Sequence, residues 1–205
     1  MMTRFFLATG LCLVLTDATE AASARKPVPA DSITTATIDK SQADTQNRAG
    51  RVPGDSQIEI AFAPKPSRQA ERLVIKVIDS AKDSAFMAAY QMTSKPIADA
   101  MCRAAARGVA VSAVLDAKSN KHGDSTSKLD YMLACGVDVK TDARYPIMHD
   151  KFIVVDGRHV ETGSFNYTFA AAERNAENAI VVWNNVSMAK NYESEFNRLF
   201  DEALD

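Results

Sequence analysis

Basic residues hold no majority in this chain: 24 Lys and Arg stand against 26 Asp and Glu, a formal charge of −2. Without a global basic excess, any nucleic-acid binding has to come from a local patch and should be modest and salt-sensitive. Cysteine is scarce, at three residues. There is no CxxC, no HExxH and no group of carboxylates at ligand spacing, so no sequence signature of a metal centre or resident cofactor is present. Long apolar runs are missing too. The run from Phe5 to Leu15 is too short to span a bilayer.

That short run nevertheless has a context. Arg4 precedes it and Ala22-Ser23-Ala24 follows it, which together give the three regions of a secretory signal. Residues 1–24 are therefore expected to direct export, to the periplasm or outside the cell, and to leave no stable membrane insertion once removed; the alternative is a buried N-terminal helix. Cys12 lies inside the run without lipobox context, so no lipid anchor is read. Residues 25–56, rich in Ser, Thr, Ala, Asp and Pro and without periodicity, read as a flexible linker. Cys102 and Cys135 remain in the mature chain. They allow either a disulfide closing a loop of about thirty residues, stabilising by roughly 3 to 4 kcal/mol, or two buried free thiols near helix ends. Spacing leaves both open.

With 46% hydrophobic residues, the 205-residue chain can bury one sizeable core, expected over residues 57–205. Ile58, Ile60 and Phe62 alternate with Gln57, Glu59 and Ala61, a half-buried strand that Pro64 and Pro66 end. Ser67 suits an N-cap, and Ala70, Leu73, Val74, Val77, Ile78 and Ala81 follow it at helical spacing. A strand over 85–92, a helix over 95–107 with Pro96 in its first turn, and a strand over 109–115 come next. Helix, glycine and strand recur at 129–135, Gly136 and 137–140. Strands at 149–155, 160–165 and 179–183 lead to a closing helix, Ser187 to Leu204, with Met188, Tyr192, Phe196, Leu199 and Ala203 on one stripe. Such alternation predicts an α/β fold with a mixed, mostly parallel central sheet flanked by helices.

The chemistry concentrates between His149 and Asn166. Apolar β-formers fill 152 to 155 and Asp156-Gly157 favours a hairpin, so His149 and Lys151 project from one face of a strand. The return strand brings Ser164 and Asn166 back toward them. Asp156 is too far along to orient its own His149, since seven strand residues span roughly 23 Å. It is read as a turn-stabilising carboxylate. An imidazole, an ammonium, a hydroxyl and an amide, with no acid among them, suit an anion carrying several oxygens, such as a phosphodiester.

The spacing His-x-Lys-x4-Asp-x6-Gly-Ser-x-Asn, met by His149, Lys151, Asp156, Gly163, Ser164 and Asn166, resembles the signature of the phospholipase D superfamily. The motif occurs once. Over roughly residues 57 to 204, including Tyr145-Pro146-Ile147-Met148 and Asn175-Ala176-Glu177-Asn178, the chain looks most like the small, exported, metal-independent bacterial endonucleases of that superfamily. The resemblance implies a phospholipase D-like domain and a homodimer that builds one site from two motifs. It also implies catalytic roles for His149, Lys151, Ser164 and Asn166, with Gly163 structural and Glu177 hydrogen-bonded to the catalytic histidine. The substrate expected is DNA, with RNA a further candidate, cut without base reading; the rivals are phospholipid head-group hydrolysis and an inactive nucleic-acid-binding module. In open α/β sheets ligands sit beyond strand ends. Tyr90, Gln91 and Thr93 after one strand, and Asp116, Lys118 and Asn120 after another, are candidates to border the site, and Lys118, Lys121, His122 and Lys128 to meet a nucleic-acid backbone. A solvated loop is the other reading of that segment, and neither His122 nor His159 is assigned to chemistry.

Overall fold

The structure, a computed structural model, describes residues 56–64 and 68–203. The expected signal at 1–24, nearly all of the linker, Pro66, the capping role of Ser67 and Leu204 lie outside them.

The elements run β1 (Gln57–Ala63), α1 (Gln69–Asp79), β2 (Ser84–Ala89), α2 (Lys95–Ala106), β3 (Ala110–Asp116), α3 (Leu129–Ala134), β4 (Asp138–Asp142), β5 (Lys151–Val155), β6 (His159–Gly163), α4 (Phe169–Glu173), β7 (Glu177–Trp183) and α5 (Val186–Glu202). The short α4 has no counterpart in the predicted elements. Ser94, as N-cap of α2, accepts from the Ile97 N–H, and Pro96 sits in the first turn where its missing N–H costs nothing.

All seven strands form one sheet in the order β1-β7-β6-β5-β2-β3-β4. The sheet is mixed, as expected, but it is not mostly parallel. Only β2–β3 and β3–β4 run parallel, joined by crossovers through α2 and α3; the other pairings are antiparallel. The hairpin at Asp156-Gly157 makes one of these, β5–β6, by turning the chain straight back on itself, while β1–β7, β2–β5 and β6–β7 join strands that no tight turn connects. Asp156 and Gly157 have left-handed φ, 53° and 57°, as that turn requires.

The two faces of the sheet are packed differently. On one, Val74, Val77 and Ile78 of α1 and Ile97 and Met101 of α2 bury against Met87, Leu115, Ile153 and Val181. The predicted stripe of α1, from Ala70 to Ala81, is buried throughout. On the other face Ala189, Phe196 and Leu199 of α5 cover Phe152, Val154 and Val160, with Met188 and Tyr192 packed alongside. The strand β1 reverses its expected orientation. Ala61 and Ala63 are buried while Ile58, Ile60 and Phe62 are exposed, because the small residues face α1 and the large ones occupy a stretch of sheet beyond α5.

Cys102 and Cys135 form a disulfide with a Cα–Cα distance of 5.5 Å and a sequence separation of 33. It ties α2 to the end of α3, and closing such a loop stabilises a fold by about 3 to 4 kcal/mol.

Candidate active site

Strand pairing gathers the motif at one end of three neighbouring interior strands, β5, β6 and β7. Lys151 opens β5 opposite Ala89 at the end of β2, Gly163 ends β6 opposite Ala179, and Glu177 opens β7 opposite Ala63 at the end of β1. His149 is exposed just ahead of β5. Its backbone is held on both sides: the Met148 N–H donates to the buried Asp116 carboxylate at 3.0 Å, and the Tyr90 N–H donates to the Asp150 carbonyl at 3.1 Å. Asn120 locks those two loops together, accepting from the Met92 N–H and donating to the carbonyls of Tyr90 and Asp116. An imidazole held this way keeps an accessible ring on a fixed support.

Tyr90 belongs to the cluster, as expected. Its ring meets the His149 ring edge-on with centroids 4.8 Å apart, and the Lys151 ammonium lies 5.6 Å from its centroid. Lys151 donates to the His149 carbonyl at 2.7 Å. Burial pulls the Lys151 pKa below its ordinary value, against the pull of the Asp150 and Glu177 carboxylates.

The outcome for Glu177 differs from the expectation. Its carboxylate accepts from Ser164 Oγ at 2.6 Å and from Asn175 Nδ2 at 3.1 Å rather than from the His149 ring. Ser164 Oγ in turn accepts from the Asn178 N–H at 3.1 Å. The hydroxyl is engaged as donor and acceptor, so Ser164 orients Glu177 and is not free to donate to a substrate oxygen in this arrangement. Asn166 keeps a buried side-chain oxygen without a hydrogen-bond partner, which leaves its amide uncommitted. Gly163 is structural for a steric reason. A Cβ there would lie 2.2 Å from the Asn178 carbonyl oxygen, so any side chain would push apart the strands that carry Ser164 and Glu177.

Asp156 accepts the backbone N–H groups of Lys82, Asp83 and Ser84. It is the turn-binding carboxylate expected, though the turn it satisfies is the entry to β2. Partial burial works to raise its pKa, but the three N–H bonds prevail and hold it below the usual carboxylate range. The stability it contributes is then fully present above the unfolded carboxyl pKa of about 4 and is lost as pH falls through the folded value. Asp156→Asn, which tolerates the left-handed φ, should cost about 1 to 2 kcal/mol at pH 7. Urea unfolding at pH 7 and near pH 3 checks this, with the gap to wild type closing at the lower pH.

The remaining candidates are more distant. Thr93 is fixed through its N–H to the Tyr167 carbonyl. Lys118 donates to the Pro146 carbonyl at 2.9 Å and so braces the segment leading to His149. Lys121 is exposed and its charge acts on Asp124, while Lys128 folds back on the carbonyls of its own loop. His122 pairs with Asp130 at 2.7 Å and His159 accepts from the Asn184 N–H. Two supports were not anticipated. Asn120, by sequence a possible border of the site, is the tie between loops. Glu161, fully buried, accepts from Tyr167 Oη at 2.6 Å and anchors the turn that carries Asn166, burial pushing its pKa up to about 8. An acid flanked by the β-branched Val160 and Thr162 was the available signal. Among the described residues no three His, Cys, Asp or Glu are grouped to hold a metal ion, and no helix is long and apolar enough to cross a membrane.

Residues 74–200 match the family described as cardiolipin synthase, PLD-like domain. A phospholipase D of Rickettsia typhi is 34% identical over 68% of this chain and 67% of its own length. A mitochondrial cardiolipin hydrolase of Xenopus tropicalis is 32% identical over 68% of this chain and 64% of its own length. Among solved structures, Nuc from Salmonella typhimurium, a phospholipase D family member, superposes with a TM-score of 0.70 at 37% identity, covering 74% of this chain and 98% of Nuc. NucT from Helicobacter pylori gives 0.67 at 25% identity, covering 73% and 99%.

Proposed function

The chain belongs to the phospholipase D superfamily, and from that membership we propose that it is a phosphodiester hydrolase acting as a non-specific endonuclease on DNA, with RNA as a further substrate. The observation that carries this reading is an exposed imidazole against an aromatic ring and a partly buried ammonium, present once per chain. One imidazole does half of a two-step displacement. A second copy of the chain supplies the other half across a two-fold axis.

In the first step a ring nitrogen of one His149 bonds to phosphorus while the bond from phosphorus to the leaving oxygen breaks, and the partner imidazolium gives that oxygen its proton. In the second, the now neutral partner ring takes a proton from water, the water oxygen bonds to phosphorus, and the phosphorus–nitrogen bond breaks to restore His149. Identical rings in one site titrate in two steps, which allows one to be neutral while the other is charged. The Lys151 ammonium and the Asn166 amide of each copy stabilise the equatorial oxygens. This donor set neutralises the phosphoryl charge by itself, which supports a metal-independent reaction.

Substrate class rests on two supports. The chain superposes on 98% of Nuc and 99% of NucT, which supports a nuclease, and its sequence carries nothing that resembles a base-reading element. The relatives named phospholipase D and cardiolipin hydrolase keep phospholipid head groups as the second reading. The disulfide suits an oxidising compartment and so supports export. Purified mature protein in excess EDTA should nick supercoiled plasmid while releasing no head group from phosphatidylcholine or cardiolipin vesicles. Activity that requires an added divalent ion, or head-group release without nicking, would overturn the reading.

A further inference from the structure

The short helix α4 inverts the usual order of a surface helix, which turns its apolar side inward. It buries Ala171 and Ala172 and leaves Phe169, its one large apolar side chain, 52% exposed. Two arginines attend the ring, the guanidiniums of Arg68 and Arg174 each standing 5.7 Å from its centroid. Their commitments differ. Arg68 forms ion pairs with the buried Glu71 and with Glu173, both at 2.9 Å, and so braces α4 against α1. Arg174 is exposed and makes no ion pair among the described residues.

Both ends of α4 are tied to the motif. The Thr168 N–H donates to the Asn166 carbonyl at 2.7 Å, and Asn175 Nδ2 donates to the Glu177 carboxylate at 3.1 Å. Phe169 follows Asn166, and Glu177 follows Arg174, by three residues, which is at most about 10 Å of chain. Resting on the endonuclease reading above, we propose that Phe169 and Arg174 form a second binding site beside the scissile phosphate: the ring stacks an unpaired base, and the guanidinium takes a neighbouring phosphate of the same strand. An open aromatic ring next to an uncommitted guanidinium grips a strand without reading its sequence, because every base has a π-face. The charge balance makes such a local device necessary. With 24 basic against 26 acidic residues, the chain as a whole exerts no attraction on a polyanion. A lipid head group offers no ring to stack, so this pair of side chains favours a nucleic-acid substrate.

The test compares binding of a labelled oligothymidylate with binding of an equally long strand lacking its bases. Fluorescence anisotropy on mature protein carrying His149→Ala reads both without cutting either. This parent should hold the base-bearing strand about 5- to 100-fold tighter than the abasic one, the value of one stacked base. Adding Phe169→Leu, which keeps apolar bulk without a π-face, should remove that preference, and Phe169→Trp should restore it. Arg174→Gln should instead weaken both strands alike and lower the slope of log affinity against log salt by about one. If Phe169→Leu discriminates as the parent does while wild type nicks plasmid, the stacking site falls and the endonuclease reading stands. If wild type neither binds nor cuts nucleic acid, both fall. If Phe169→Leu sediments as a smaller species than its parent, or alone loses flotation with cardiolipin-containing vesicles, the ring belongs to a protein or lipid contact and the proposal is overturned.

Discussion

His149→Ala should abolish turnover, lowering it by more than about 10⁴-fold, because both halves of the proposed displacement pass through this ring. Loss of a general acid or base alone typically costs about 10² to 10⁴-fold; here the covalent acceptor goes as well. The fold should not notice. The ring is exposed, and its position is secured by its neighbours, through Met148 on Asp116 and Asp150 on Tyr90. The variant should therefore melt with the wild type, within about 0.5 kcal/mol as for other surface substitutions. Plasmid nicking measured beside thermal unfolding separates the two effects, and a variant that retained a tenth of the activity would remove His149 from the nucleophile's role.

How much of this was legible beforehand depends on the range of the physics. The α1 stripe and the Asp-Gly turn are set by neighbours three or four residues away, and both came out where periodicity and turn chemistry placed them. Motif spacing did the same for Lys151 and Gly163 on β5 and β6, while His149, expected on the strand, falls just ahead of it. What needed long-range information was missed. The direction of strand pairing depends on which strands meet across the sheet, and local alternation does not encode it. The orientation of β1 was misread for a related reason. Periodicity showed that one face of the strand differs from the other, but not that alanines would face α1 while the isoleucines lay beyond α5. Glu177 was placed in the right neighbourhood on the wrong partner, because the choice between an imidazole and a hydroxyl turns on distances that only the folded chain supplies. Cys102 and Cys135 posed the same question, answered by the packing of α2 on the end of α3.

Lys151→Met should give the opposite pattern from an ordinary core substitution, with activity falling about 10³-fold and stability held or raised. In the proposed mechanism the catalytic loss follows from removing a cation aimed at a charge that develops only in the transition state, where a single such donor is worth about 10² to 10³-fold, and the proposed symmetric dimer loses two. The stability gain follows from the sign of the Lys151 shift. Burial lowers the folded pKa below the unfolded one, so the charged form is less comfortable in the folded state, and the penalty is present at neutral pH, fading only as pH rises through the folded pKa and the ammonium loses its proton. Methionine keeps the unbranched stem beside Tyr90 and removes the charge. What is given up is the hydrogen bond to the His149 carbonyl, which water replaces at this solvent-accessible position, with the ammonium's contact on the Tyr90 ring and the pull of Asp150 and Glu177, against which the burial cost prevails. Comparing wild type and Lys151→Met by thermal unfolding at pH 7 and pH 10 tests this directly: any advantage of the variant should shrink at the higher pH. A variant clearly less stable than wild type at pH 7 would mean that Lys151 holds the fold together, and its effect on turnover would then no longer report on the phosphoryl group.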